Sequence, residues 1–298
     1  MSHRLSTRVF AASAVFMAVA ILGAASPVAA ADPTTVALSG ANGAIGPEGL
    51  PQLTPAQQAI VKQKLALAHQ EELHPGTVRN ISHPAGMQVL SAASPADQYA
   101  AFLVTWPRQQ TKPYYCGPTA VQVVGDYAWN MGPNTVHNTQ QNISTWWTKT
   151  DVTGQTYLGD EVHGLNMNVG AKMPAGFIYA YARPNTGSAW HSLLRTDVVG
   201  YYMPQVTSVS PKQTGASYWL SSWANTNRPV PAGDYGHYIV YTGYVGIWDG
   251  TSNPHVYFDD GSYGWGGDTG EFSDPATHLY YMQWLTNKNH PAGGYVIW

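Results

Sequence analysis

The sequence predicts an α+β domain in which a helix with a lone cysteine at its N-terminus packs against an antiparallel sheet carrying a histidine and an aspartate. Three observations predict it. Directly after Cys116, residues 117–129 place Ala120, Val121, Val123, Val124, Tyr127 and Ala128 at helical spacing. Two β-rich runs, Tyr238 to Tyr244 (YIVYTGY) and His255 to Phe258 (HVYF), are separated by turn residues at 246–254, the layout of two antiparallel neighbours. His237 stands at the mouth of the first run, and Asp259 and Asp260 close the second.

Taken from the start, residues 1–31 read as a secretory signal peptide. Arg4 and Arg8 give the positive start, residues 9–25 the apolar run, and Val28-Ala29-Ala30 a small-residue cleavage site. Ser13, Gly23 and Ser26 interrupt the run, which is short for a bilayer span. The expected product is therefore secreted, extracellular or associated with the cell wall, and keeps no integral membrane segment once the leader is removed. Residues 32–92 form a flexible N-terminal segment with one helix. It runs from Thr54, with Pro55 in the first turn, to Leu73, and His74-Pro75-Gly76 ends it. Ile60, Leu65, Leu67 and Ala68 mark its apolar side, and it reads either as a pro-segment or docking arm or as a surface helix packed on the main domain. The main domain is expected at 93–298, dense in Tyr and Trp, with a further helix at 216–224. Charged residues make up 10% of the chain and the formal net charge is -3, which leaves no basic face for nucleic acid.

Cys116 is the only cysteine, so it has no disulfide partner within the chain. In an oxidising compartment such a thiol is either buried and inert or kept for its reactivity, and its neighbours decide which. Pro113 and the two tyrosines before Cys116 resist a helix, whereas Gly117-Pro118 puts proline in a first helical turn, where its missing N–H costs nothing. Cys116 is thus expected at a helix N-terminus, whose partial positive charge favours a thiolate. An attacking thiolate also needs donors for the oxyanion. The Cys116 backbone N–H and the side-chain amide of Gln110 are the candidates, with Gln109 as the neighbouring alternative. Gly236-His237 at a strand start mounts a general base rigidly. Of the two carboxylates that return beside it only one can face the imidazole, because successive strand residues point to opposite faces. Asp260 is favoured, since it lies where the strand gives way to Gly261.

On Gln110 with Cys116-Gly117-Pro118, Arg228-Pro229-Val230 followed by Gly236-His237-Tyr238 to Tyr244, and Tyr257-Phe258-Asp259-Asp260, the chain resembles the bacteriocin-processing cysteine peptidases that trim double-glycine leaders, especially their secreted stand-alone relatives. The resemblance covers residues 110–261 and leaves the middle unmatched. It implies a papain-like α+β fold, a Cys116-His237-Asp260 triad, Gln110 as oxyanion donor, a peptide or protein substrate and no cofactor. Three departures go with it. Gly261, where the family commonly has Pro, leaves the choice between Asp259 and Asp260 open; the Cys116 to His237 segment is long; and the membrane and ATPase domains of transporter-linked members are absent from the sequence.

A cell-wall peptidoglycan amidase or endopeptidase would use the same nucleophile and base. A non-enzymatic glycan-binding module would instead use the many tryptophans, among them Trp146, Trp147, Trp190, Trp219, Trp223, Trp248 and Trp265, although aromatics more often fill cores. His163, His191, His255 and His278 lack paired metal-ligand spacing, and Asp249, Asp268 and Asp274 read as turn or solvated carboxylates, so no metal is expected.

Overall fold

The computed structural model describes residues 53–84, 100–211, 219–223, 236–248, 252–262, 269–285 (side chains of 284 and 285 excepted) and 294–298. The leader, the stretch that follows it to residue 52, and the 228–230 part of the resemblance lie outside the described residues.

Helix α1, Pro55–Leu73, opens on a capping box: the Thr54 hydroxyl accepts from the Gln57 backbone N–H and the Gln57 side chain accepts from the Thr54 N–H. Its buried stripe is Val61, Lys64, Ala68 and Glu71, so two of the four inward side chains are ionic. Lys64 Nζ meets Asp197 at 3.3 Å and lies over the rings of Phe177 and Trp298, 3.6 and 4.3 Å from their centroids. Arg195 pairs with Glu71 at 2.5 Å. These buried pairs join α1 to the rest of the fold.

Strand β1, Ala100–Phe102, leads to helix α2, Cys116–Ala128, which is buried from Gly117 to its end. Short helices α3, Gln140–Ile143, and α4, Thr150–Thr153, flank a π-helical turn at Ser144–Thr148 and lead to α5, Leu158–Val169. Helices α2 and α5 pack closely because glycines lie between them. A Cβ on Gly125 would fall 1.9 Å from Asn168, and one on Gly164 within 3.2 Å of Val121. Strand β2, Tyr181–Ala182, helix α6, Gly187–Arg195, and strand β3, Gln205–Val209, follow, then β4, His237–Val245, β5, His255–Gly261, β6, Thr269–Pro275, helix α7, Ala276–Leu285, and β7, Val296–Ile297. Among the described residues the strands make one antiparallel sheet in the order β2-β7-β3-β4-β5-β6, with β1 paired to the far half of β4.

Strand β4 is buried on both faces. On one, the Tyr238 hydroxyl donates to the Thr156 carbonyl beside α5; on the other, Tyr241 accepts from Gln283 of α7 and its ring lies 5.4 Å from Trp190 of α6. A doubly covered strand needs apolar or aromatic side chains at nearly every position, which is what 238–244 supplies.

The helix expected at 216–224 differs. Residues 216–218 and 224 lie outside the described residues, and Ser221–Trp223 is a single 3-10 turn. Asp274 accepts from the Ser221 N–H, and the Ser222 and Trp223 side chains are committed to another carboxylate, so this segment is pinned by side-chain bonds instead of an i to i−4 ladder. Asp274 is itself a buried β6 residue whose carboxyl is pushed up by burial, not a solvated loop carboxylate. No helix among the described residues is long and apolar enough to cross a membrane.

Candidate active site

Cys116 is the first residue of α2, partly exposed while the rest of the helix is buried. The first turn of a helix leaves backbone N–H groups without intrahelical acceptors, and these are directed past the cysteine. A tight polar cluster fixes the entry to the turn. Tyr115 donates to Asp151 at 2.5 Å, and Lys112 donates to both the Tyr115 hydroxyl and Asp151 at 2.8 Å.

The irregular stretch before it is held just as firmly. Arg108 bonds Asp126 at 2.8 Å and the carbonyls of Gly132, Pro133 and Thr135. Gln140 accepts from the Thr111 N–H and donates to the Gln109 carbonyl, and the Gln110 N–H donates to Gly261 at 2.8 Å. This clamp leaves Gln109 exposed and turns Gln110 inward. There Gln110 shares one small cleft with Cys116, Thr119, His237 and Asp259. Its side-chain Nε2 is buried with no hydrogen-bond acceptor among the described residues. A buried amide donor without a partner costs free energy, and the fold holds this one beside the thiol despite that cost.

His237 is the first residue of β4 and is 1% exposed. Its Nε2 lies 2.7 Å from Asp260 Oδ1. The other carboxylate oxygen of Asp260 accepts from Ser222 Oγ at 2.7 Å and from Trp223 Nε1 at 3.1 Å, and the Trp223 ring lies 5.6 Å from the imidazole in a tilted, edge-on contact. With Nε2 committed to Asp260, Nδ1 is the nitrogen left to face the Cys116 thiol, which lines the same small cleft and acts on the ring electrostatically. Burial alone would lower the His237 pKa. The charge and hydrogen bond of Asp260, with a contribution from Cys116, overcome it and raise the value to about 10. The imidazole therefore carries its proton at neutral pH.

Asp259 points to the other face of β5, toward Thr105 and the cleft, and burial pushes its carboxyl up to about 7. The structure thus brings together Cys116, His237, Asp260 and Gln110, with Asp259 lining the same cleft, and hydrogen-bonds the imidazole to Asp260. Ser222 and Trp223, which orient Asp260, carry no sequence signal: they lie in a segment that reads as helix. Of the tryptophans, Trp190 and Trp223 are fully buried, Trp147 and Trp248 half-buried, Trp146 and Trp219 exposed, and Trp265 lies outside the described residues.

No family model matches this chain and no curated protein matches it significantly. Among solved structures the chain is similar to one titled recombinant stem bromelain precursor, with 10% sequence identity and a TM-score of 0.35 over 83% of this chain and 93% of that one.

Proposed function

We propose that this protein is a papain-like cysteine peptidase, exported by residues 1–31, that hydrolyses peptide or amide bonds through Cys116, His237 and Asp260. The observation that carries the reading is the His237 ring, bonded to Asp260 through one nitrogen and sharing one small cleft with the Cys116 thiol at a helix start. Its kinship would lie with the bacteriocin-processing peptidases, on the residues quoted above.

In this reading the Cys116 sulfur, as thiolate beside a protonated His237, attacks the carbonyl carbon. The oxygen takes up negative charge against the Gln110 amide and the Cys116 N–H. His237 then gives its proton to the leaving nitrogen as the C–N bond breaks, leaving a thioester. Water, deprotonated by His237, releases the acid and restores the thiol. Asp260 keeps the ring in place and stabilises its charge throughout.

The test is hydrolysis of a peptide library by the wild type, Cys116→Ala and His237→Ala, with folding checked by circular dichroism. Both variants should be folded and inactive. Either one cleaving at the wild-type rate refutes the proposal.

A further inference from the structure

Among the tryptophans that a glycan-binding module would use, Trp248 lines a pocket that the mechanism above does not touch. With Asn185, Thr277, Tyr280 and Tyr281 it encloses about 400 Å³ at the surface, within the size range of small-molecule sites. The active-site cleft lies elsewhere. Its His237 is the first residue of β4, a nine-residue strand that rises roughly 27 Å, and Trp248 comes after the last.

The walls of the pocket are built in advance. Tyr280 stacks on the fully buried Trp190, with ring centroids 6.2 Å apart and an interplanar angle of 27°, and its hydroxyl donates to the Pro184 carbonyl at 3.4 Å. Trp248 stands edge-on to both rings, 6.4 Å from Trp190 at 84° and 6.2 Å from Tyr280 at 79°. A Cβ on Gly187 would fall 2.4 Å from the Trp248 indole, so glycine at the first position of α6 lets the ring lie against that helix. Rings already fixed by packing lose little freedom when a ligand arrives. Tyr281, 41% exposed, and the exposed Asn185 and Thr277 complete the lining.

Among the described residues that lining carries no charge. Arg183, whose charge reaches Tyr280, lies over the Tyr295 ring, 5.8 Å from its centroid, and Glu72 of α1 accepts from Ser188 Oγ at 2.7 Å. A phosphate or carboxylate ligand would meet no cation in the lining, and an ammonium ion no carboxylate. The Asn185 amide and the Thr277 hydroxyl can each donate and accept, as every hydroxyl of a sugar does. A proline-rich strand, the other common occupant of aromatic grooves, brings mainly acceptors. A pyranose with equatorial substituents offers a flat face of C–H groups to a ring and a rim of hydroxyls around it.

We propose that the Trp248 pocket binds a neutral glycan of this kind, built of β-linked glucose or N-acetylglucosamine units. The aromatic rings take the C–H faces, and Asn185 and Thr277 hydrogen-bond the hydroxyls. The site is separate from the active cleft and does not depend on Cys116 being a nucleophile.

The experiment is isothermal titration calorimetry of the full chain with cellotetraose and with chitotetraose at millimolar concentration, beside decaproline and choline. At least one tetrasaccharide should bind saturably, and neither decaproline nor choline should. Trp248→Ala and Tyr281→Ala should each weaken that binding by about tenfold or more, with folding checked by circular dichroism. Tyr281→Ala, at an exposed position, covers the case in which Trp248→Ala fails to fold. Cys116→Ala should bind the saccharide as wild type does. Absence of saturable binding to both saccharides, or binding that either folded pocket variant keeps at wild-type strength, overturns the proposal. So does binding lost in Cys116→Ala, or a preference for decaproline or choline.

Discussion

In the proposed mechanism the buried amide of Gln110 is the oxyanion donor beside Cys116. Its Nε2 has no acceptor among the described residues, and the clamp from Arg108 and Gln140 holds it in the cleft. Removing one oxyanion donor of this kind costs about 10²–10³ in rate. Gln110→Ala should therefore lower the acylation rate by that order while leaving alkylation of Cys116 by iodoacetamide, which develops no oxyanion, near wild type. Equal effects on both reactions would contradict the role. The helix start at Cys116 and the strand start at His237 are readable because each is punctuated locally, by Gly-Pro after the cysteine and Gly before the histidine, whereas nothing local marks Gln110 over Gln109. Strand alternation tells only that one of Asp259 and Asp260 can face the imidazole, the place of Asp260 before Gly261 favours it, and the donors on its carboxylate, Ser222 and Trp223, carry no such signal.

Helix α1 shows why periodicity finds an element more readily than its packing. Its ends were marked by Thr54-Pro55 and His74-Pro75-Gly76, but Ile60, Leu65 and Leu67 lie at its edges, while Lys64 and Glu71 are inside. A stripe with two ions has no apolar period to read. Burial and partial pairing leave Lys64 lowered to about 8 and Asp197 raised to about 7. Breaking one member of a buried pair costs about 3–5 kcal/mol, because the other is left charged and dry. Lys64→Ala should lose about that much in urea unfolding, whereas a loss within the ±0.5 kcal/mol typical of surface sites would show that α1 is not part of the cooperative unit. The remaining helices and strands were silent for related reasons. Strand β6, TGEFSDP, has one Thr and no other β-branched residue, and α5, LGDEVHGLNMNV, carries two glycines and a buried glutamate.

Across the whole molecule, the sheet start and the helix start bring His237 and Cys116 to one cleft. His237 has a folded pKa raised to about 10 from an ordinary 6.5. Its protonated form thus adds stability that is fully present below about pH 6.5 and is lost as pH rises through about 10. The stability difference between wild type and His237→Asn, from urea unfolding at a series of pH values, should shrink over that window. A difference that stays constant or grows would mean that the imidazole is not held charged by the fold.

The decisive quantity is the rate at which a peptide chloromethyl ketone alkylates Cys116 at neutral pH. Wild type should react far faster than free cysteine, and folded His237→Ala no faster than free cysteine. A wild-type rate equal to that of free cysteine, or an undiminished one in His237→Ala, would contradict the pairing of Cys116 with His237.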